Sequence, residues 1–182
     1  MPADQREPIL RLGEEASPAT RRPYDRGMTD QGIIVRDVQE DDFAGWAELF
    51  RGYREFYRMD PDEEVVSRVW AWLRDPAVEV DGLVAVQDGA LVGIAHIRRF
   101  HRPSAGTTGL YLDDLFTAPA ARGRGAGRAL IAELNHRAGT QGLSVVRWIT
   151  AADNRTARRL YDSVATATPW VTYDLTPTPR GS

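Results

Sequence analysis

The stretch that decides the fold is LYLDDLFTAPAARGRGAG, residues 110–127. Its apolar first half predicts a buried strand over 110–117, Pro119 ends that strand, and the apolar pattern that follows predicts a helix. Glycines at positions 123, 125 and 127 let the backbone approach a ligand closely, and the free N–H groups at a helix start can bind an anion. The stretch therefore predicts a site for a phosphate-bearing cofactor.

The composition indicates a globular protein with one domain. The chain has 182 residues, 42% of them hydrophobic, and a formal net charge of −3. It contains no run of about 18 apolar residues and no secretory signal, so we expect a cytoplasmic protein with no membrane partner. The net charge argues against bulk nucleic-acid binding. Cysteine and lysine are both absent, which excludes disulfides, thiolate metal sites and covalent catalysis through either side chain.

Apolar spacing predicts the remaining organisation of the chain. Residues 1–31 have little periodicity and predict a mobile N-terminal arm, residues 32–176 the folded domain, and residues 177–182 a C-terminal tail. Within the domain we expect, in order, a strand at 33–35, two amphipathic helices between 41 and 73, strands at 82–87, 90–97 and 110–117, a helix at 120–141, a strand at 144–150, a helix at 154–163 and a closing strand at 168–175.

Two connections set the topology. Asp88-Gly89 is typical of a two-residue hairpin turn, so the strands that it joins are predicted to pair antiparallel. A helix between the strands at 110–117 and 144–150 makes a crossover, which predicts that these two strands are parallel. The fold class is therefore α+β, with a mixed, mostly antiparallel sheet flanked by helices.

The glycine-rich segment does not fit two common nucleotide motifs. A Walker loop needs Lys-Ser/Thr after its last glycine, whereas Arg128 is followed here by Ala129, so a Mg²⁺ ligand is missing. A dinucleotide fingerprint needs another glycine spacing and an acidic residue about 20 positions further on. A plain turn without a ligand remains the alternative.

The pattern Arg122-x-x-Gly125-x-Gly127 resembles the acyl-CoA loop of the GNAT superfamily, the acetyl-CoA-dependent N-acetyltransferases, and the order of elements over residues 33–175 is similar too. The resemblance implies acetyl-CoA as co-substrate, no metal, a homodimer, and a splayed parallel pair at the centre of the sheet. It also implies that the loop binds the pyrophosphate and that the edge of the strand at 115–117 pairs with the pantetheine arm. The predicted cofactor-binding residues are Leu115, Phe116, Thr117, Arg122, Gly123, Arg124, Gly125, Ala126, Gly127 and Asn154.

Asn154 and Tyr161 form a second candidate pair. They are seven residues apart on a predicted helix, so both face the same side. A helix cap is the alternative role for Asn154, and a core position is the alternative for Tyr161. The resemblance implies instead that Asn154 contacts the cofactor and that the Tyr161 hydroxyl hydrogen-bonds the departing CoA sulfur.

The chemistry of amine acetylation calls for a proton acceptor. An amine with a pKa near 10 is free of its extra proton in only about one molecule in a thousand at neutral pH. Asp113 and Asp114 precede the cofactor edge, and alternation sends them to opposite faces unless a bulge redirects the chain. The stretch Tyr-Leu-Asp-Asp-Leu-Phe resembles Tyr-Leu-Glu-Asp-Phe-Phe of diamine (spermidine/spermine-type) acetyltransferases, in which the Glu is the proposed base. The resemblance implies that Asp113 takes this position. It would accept the proton directly, accept it through water, or only bind the ammonium group. Asp114 has an internal hydrogen bond or ion pair as its alternative role.

The sequence signal for residues that bind the acceptor amine is less specific than that for the cofactor. Tyr53, Glu55 and Tyr57 on the first helix are candidate substrate-binding residues, with a core and solvent-exposed face as the alternative. The three histidines lack the spacing of metal ligands and are predicted to be structural or exposed. The leading hypothesis is an N-acetyltransferase that acts by direct attack in a ternary complex on a primary amine of a small molecule: first a polyamine or diamine, then an amino acid or aminoglycoside. Protein or peptide N-acetylation is the alternative, and a non-catalytic acyl-CoA-binding or regulatory module is the alternative of another class.

Overall fold

The computed structural model describes residues 27–28 and 32–178. The predicted arm over residues 1–31 lies outside the described residues except for its two-residue strand Gly27–Met28, and residues 179–182 of the predicted tail lie outside them as well. No helix within the described ranges is both long enough and apolar enough to cross a membrane.

The described residues form one mixed sheet whose strands follow chain order. The strands are β1 (Gly27–Met28), β2 (Ile34–Asp37), β3 (Asp81–Gln87), β4 (Ala90–Arg102), β5 (Thr107–Thr117) and β6 (Val146–Arg147). All neighbours are antiparallel except β5 and β6, which are parallel. Asp88 and Gly89 both have positive φ, 51° and 79°, as a two-residue hairpin turn requires. The predicted fold class is confirmed.

Helices cover both faces of this sheet. They are α1 (Phe43–Phe56), α2 (Glu63–Arg74), α3 (Ala126–Thr140) and α4 (Arg155–Tyr161). Val84 of β3 belongs to a buried cluster with α1 and α2, whereas its neighbours Leu83 and Ala85 belong to a second cluster with α3. Because successive strand residues point to opposite faces, α1 and α2 lie on one face of the sheet and α3 lies on the other.

A β-bulge in β5 positions the candidate site. The pairing of β4 with β5 runs regularly up to His96, which lies opposite Asp114, but the next residue, Ile97, lies opposite Leu112. Asp113 is therefore the extra residue of the bulge. Leu112 and Leu115 both pack with the α3 cluster although their numbers differ in parity, because the inserted residue shifts the phase of the strand.

At the other end of the sheet one sequence prediction holds only in part and another is wrong. The strand expected at 144–150 is regular only over Val146–Arg147, and the closing strand expected at 168–175 does not form. Pro169 has no N–H for a sheet ladder, and the large apolar side chains after it are not covered by any described residue. Their exposed fractions are 80% for Trp170, 72% for Val171, 89% for Tyr173 and 91% for Leu175. The parallel pair consequently forms the edge of the described sheet, where the resemblance implied its centre.

Candidate functional site

A cleft of about 450 Å³ lies beside the C-terminal end of β5, between the start of α3 and α4. Strands β5 and β6 pair only at residues 110 and 111 of β5, so the β5 edge over residues 112–117 has no strand partner in the described residues. The cleft is lined by Phe56, Tyr57, Leu115, Phe116, Thr117, Ala121, Arg122, Gly123, Gly125, Ala126, Gly127, Arg128, Asn154, Thr156, Ala157, Leu160 and Tyr161. Its volume lies in the range of about 300–1,000 Å³ that is usual for ligand pockets.

The glycine loop forms the floor of this cleft and fits a phosphate group. Gly123 and Gly125 have φ of +76° and +93°, a region that other residues rarely adopt, and a Cβ at Gly123 would project into open space. α3 begins at Ala126, and no described side chain caps its N-terminus. The N–H groups of its first turn are therefore available to an anion, and the helix dipole favours negative charge there.

Arg122 organises the loop from one side. Its Nε donates to the carbonyl oxygen of Thr117 at 3.3 Å, and its guanidinium lies 5.6 Å from the ring centres of both Phe56 and Phe116. The side chain of Arg124, by contrast, is exposed and does not line the cleft. The structure thus brings all the predicted cofactor-binding residues except Arg124 to one cavity.

α4 presents Asn154 and Tyr161 to the same cleft. Asn154 caps the helix, because its Oδ1 accepts from the Ala157 N–H at 3.3 Å, and its Nδ2 donates to Thr150 Oγ1 at 3.3 Å. Tyr161 is half-buried against Trp148, with the ring centres 5.4 Å apart. Burial raises the pKa of Tyr161 to about 12, so its hydroxyl keeps its proton at neutral pH and can donate it.

The bulge places both candidate aspartates on the same face of the sheet. Asp114 Oδ2 lies 2.8 Å from His96 Nδ1, and Asp113 lies 3.1 Å from Arg98 Nε. His96 and Arg98 are two residues apart on β4 and therefore point to the same face. The prediction that alternation separates the two carboxylates is wrong because Asp113 is the inserted residue. Two negative charges are thus held side by side on the α1 face.

A buried histidine fixes the orientation of Asp114. His96 is 2% exposed, and its Nε2 lies 3.0 Å from the indole Nε1 of Trp46. The indole N–H can only donate, so Nε2 accepts and the proton of the neutral ring sits on Nδ1, from which it is donated to Asp114. Trp46, His96 and Asp114 therefore form a directed chain of hydrogen bonds, which we call the Trp46 chain. The internal hydrogen bond considered for Asp114 is present.

The two carboxyl groups differ in acidity. Burial raises the pKa of Asp113 above its usual value, although the contact with Arg98 opposes this shift. Burial acts in the same direction on Asp114, but its hydrogen bond with His96 and the nearby hydroxyl of Tyr53 outweigh burial and lower the pKa. Asp114 is therefore a fixed negative charge, and Asp113 is the stronger base of the pair.

The three residues predicted on α1 do not act together. The hydroxyl of Tyr53 lies near Asp114, and burial together with that negative charge raises the pKa of Tyr53. Tyr57 lines the cleft, and its ring lies 4.9 Å from that of Tyr53, so the two tyrosines connect the cleft with the acidic pair. Glu55 is exposed on another side of the helix, because residues 53 and 57 share a face that residue 55 does not. It lines a separate shallow groove with Arg51 and does not reach the aspartates.

Sequence analysis missed the Trp46 chain and Arg98. A lone histidine within the apolar run of β4 was a usable signal, since a buried polar side chain needs a partner. Its partner was hidden because the register at Asp114 depends on the bulge. No group of three or more histidine or acidic side chains in the described residues is arranged to hold a metal ion.

Comparison with known proteins agrees with this geometry. The sequence model described as the acetyltransferase (GNAT) family matches residues 43–165. The D-amino-acid N-acetyltransferase HPA3 of Saccharomyces cerevisiae is 30% identical over 148 residues, which are 80% of this chain and 92% of that protein. The uncharacterized N-acetyltransferase YhfO of Bacillus subtilis is 31% identical over 130 residues, 70% of this chain and 85% of that one.

Solved structures share the fold. The ribosomal-protein-alanine N-acetyltransferase of Brucella melitensis superposes with a TM-score of 0.65 at 24% identity, over 79% of this chain and 98% of that chain. The family match covers more than half of the present chain and contains the acidic pair, the glycine loop and α4. The chain therefore belongs to the acetyltransferase (GNAT) family and is an acetyltransferase.

Proposed function

We propose that this protein transfers an acetyl group from acetyl-CoA to a primary amine of a small molecule, with an amino acid as the first candidate. The observation that carries the proposal is the junction of two features: a cleft with a phosphate-binding loop, and a pair of carboxylates that Tyr57 and Tyr53 connect to it. The relative whose name specifies D-amino acids supports an amino acid as acceptor. Polyamines and aminoglycosides come after it in this ranking.

The cleft suits acetyl-CoA, which supplies the acetyl thioester. The N–H groups from Gly123 to the first turn of α3 would bind the pyrophosphate, with Arg122 and Arg128 as flanking cations. The unpaired edge of β5 at residues 115–117 would hydrogen-bond the amides of the pantetheine arm as an added strand does. Asn154 would contact the same arm from α4.

The acidic pair and Tyr161 supply the proton transfers. The amine would be held as its ammonium form beside Asp114 and would lose a proton to Asp113, directly or through one water. The amine nitrogen then attacks the thioester carbonyl carbon, the C–N bond forms, and the C–S bond breaks. Tyr161 would give its proton to the departing sulfur, the nitrogen would lose its second proton to solvent water, and Tyr161 would regain a proton from solvent. Because the amine attacks the thioester directly, no acyl-enzyme is formed.

Release of CoA thiol tests this proposal. The full chain is incubated with acetyl-CoA and a panel of amines that contains D- and L-amino acids, amino acid amides, spermidine and an aminoglycoside. We expect acceptor-dependent thiol release, with the acetylated amine identified by mass spectrometry. If the protein binds CoA but no amine or peptide acceptor causes thiol release, a non-catalytic acyl-CoA-binding module would be the function.

Two further properties stay predictions. The family resemblance implies a homodimer, which light scattering of the eluting protein measures directly. A cytoplasmic location rests on the composition of the sequence, and fractionation of expressing cells tests it.

A further inference from the structure

Four side chains beyond the acidic pair form a second polar surface on the same face of the sheet. We call Arg98, Phe100, Tyr111 and Arg147 the Arg98 cluster. Arg98 pairs with Tyr111 across β4 and β5, and Tyr111 pairs with Arg147 across β5 and β6. Laterally paired residues of neighbouring strands point to the same face, so two guanidinium groups flank two aromatic rings there.

Ring contacts hold the two guanidinium groups in place. The guanidinium carbon of Arg98 lies 4.7 Å from the Tyr111 ring centre, and that of Arg147 lies 5.4 Å from the Phe100 ring centre. The two rings meet edge to face at 5.9 Å. Gly109 leaves room for this arrangement, because a Cβ there would lie 2.7 Å from the Phe100 ring. Cation–π contacts of this kind orient a guanidinium without using its N–H donors.

Donors of the Arg98 cluster remain available. Arg98 reaches Asp113 through Nε, and within residues 32–178 no acceptor contacts its two Nη groups. Its side chain is 42% exposed. Arg147 is exposed as well, and its guanidinium has no hydrogen-bond or ion-pair partner among the described residues. A fork of parallel N–H donors is the group that best matches a carboxylate.

The charges around the acidic pair select among acceptors. Two carboxylates suit one ammonium group, but the guanidinium of Arg98, which contacts Asp113, and that of Arg147 further along the same face repel any further positive charge. A polyamine would bring its second ammonium group towards these cations. An acceptor that carries a carboxylate close to its amine would instead match both groups at once.

We propose that Arg98, assisted by Arg147, binds the carboxylate of an α-amino acid whose ammonium group lies beside Asp113 and Asp114. This inference rests on the proposed function, since it assumes that the acidic pair receives the amine to be acetylated. It assigns the preference for amino acids to a site that is separate from the cofactor cleft. Arg98 is thereby a residue that determines specificity.

A pair of matched acceptors tests the carboxylate site. Phenylalanine and phenylalaninamide offer the same amine and the same side chain, but only the acid carries a carboxylate; both enantiomers are used. We expect wild-type protein to prefer the acid. In Arg98→Gln the ratio of the two kcat/KM values, acid over amide, should fall at least about tenfold, whereas Arg98→Lys should lie between the two.

Each kcat/KM value is calculated on the concentration of unprotonated amine, because the carboxylate makes the amine of phenylalanine more basic than that of phenylalaninamide. An effect of the substitution on Asp113 then enters both values of the ratio. Arg99→Gln is the control, because Arg99 points to the opposite face and contacts Gln141. An acid-to-amide ratio that Arg98→Gln leaves unchanged, or a wild-type preference for the amide, would overturn the proposal.

A binding measurement separates this inference from the proposed function. If no acceptor releases CoA thiol, the proposed function fails, and calorimetric titration of the CoA-loaded protein with phenylalanine decides the carboxylate site alone. Binding that Arg98→Gln weakens at least about tenfold, with Arg99→Gln like wild type, supports the site. No binding to wild type, or equal binding to both variants, contradicts it.

Discussion

The Trp46 chain predicts a measurable coupling between His96 and Asp114. The perturbation is a double-mutant cycle with His96→Leu and Asp114→Ala. Each single substitution also affects a second partner. His96→Leu leaves the indole N–H of Trp46 without its acceptor, and Asp114→Ala removes the carboxylate beside the Tyr53 hydroxyl. These costs occur in both arms of the cycle and cancel. What remains is the bond between the imidazole Nδ1–H and the carboxylate.

The magnitude follows from burial and charge. The His96 side chain is 3% exposed and that of Asp114 is 24% exposed, so water screens their 2.8 Å contact little. A hydrogen bond to a charged group contributes about 1.5–3 kcal/mol, compared with about 0.5–1.5 kcal/mol for a neutral one. We therefore expect a coupling free energy of about 1.5–3 kcal/mol at pH 7.

The pH dependence gives a second check with a definite sign. Because the folded state lowers the pKa of Asp114, its contribution to stability is complete above the unfolded value near 4 and is lost as the pH falls through the lower, folded value. The assay is urea unfolding of the four proteins from pH 8 downwards. A coupling below about 0.5 kcal/mol at pH 7, or one that already declines between pH 6 and pH 5, would refute the directed chain. Pairing Asp114→Ala with His136→Leu, at an exposed histidine, should give coupling within about 0.5 kcal/mol of zero.

Three other substitutions test the site and the fold. Tyr161→Phe should lower kcat by about 10²-fold or more with little change in CoA affinity. The control Tyr173→Phe, at an exposed tyrosine, should leave kcat unchanged. If the two variants have equal kcat values, Tyr161 has no part in the mechanism. Gly93→Ala should destabilise the protein by about 1–3 kcal/mol, because the added Cβ would lie 3.0 Å from a β5 carbonyl oxygen. Gly139→Ala in α3 has open space around it and should stabilise the protein by about 0.5–1 kcal/mol. Thermal unfolding that ranks the two variants the other way would contradict the packing. Burial raises the pKa of Asp42, but hydrogen bonds from Arg36 and from a backbone N–H lower this pKa overall. Asp42→Asn should therefore cost most stability above the unfolded pKa near 4 and progressively less below it. Urea unfolding at several pH values measures this loss.

Much of the fold was predictable because local patterns and tertiary contacts agree. The Asp88-Gly89 turn, the helical spacing on α1 and α2, and the crossover through α3 each determine one connection. The closing strand was not predictable, because a strand needs a neighbour with which to pair, and β6 ends at Arg147. Alternating apolar residues supply only one of these two conditions.

The candidate site was predictable only in part, for a similar reason. The glycine loop is local in sequence, so its residues and its role at a helix start could be inferred together. The acidic pair depends on an inserted residue, whose position is set by the need of Leu112 and Leu115 to reach the same core. Strict alternation cannot reveal such a phase shift, and the partnership of His96 with Asp114 was hidden with it.

The separation of β5 from β6 has a consequence for isotope exchange. In a strand that is paired on one side only, every second amide points to the unpaired side and exchanges its hydrogen with solvent readily. Between residues 114 and 117 of β5, beyond the bulge, the free protein should thus show alternating fast and slow amides, while the stretch of β4 opposite is slow throughout. A ligand that pairs with this edge would slow the fast set alone, so the exchange pattern records strand-like binding residue by residue.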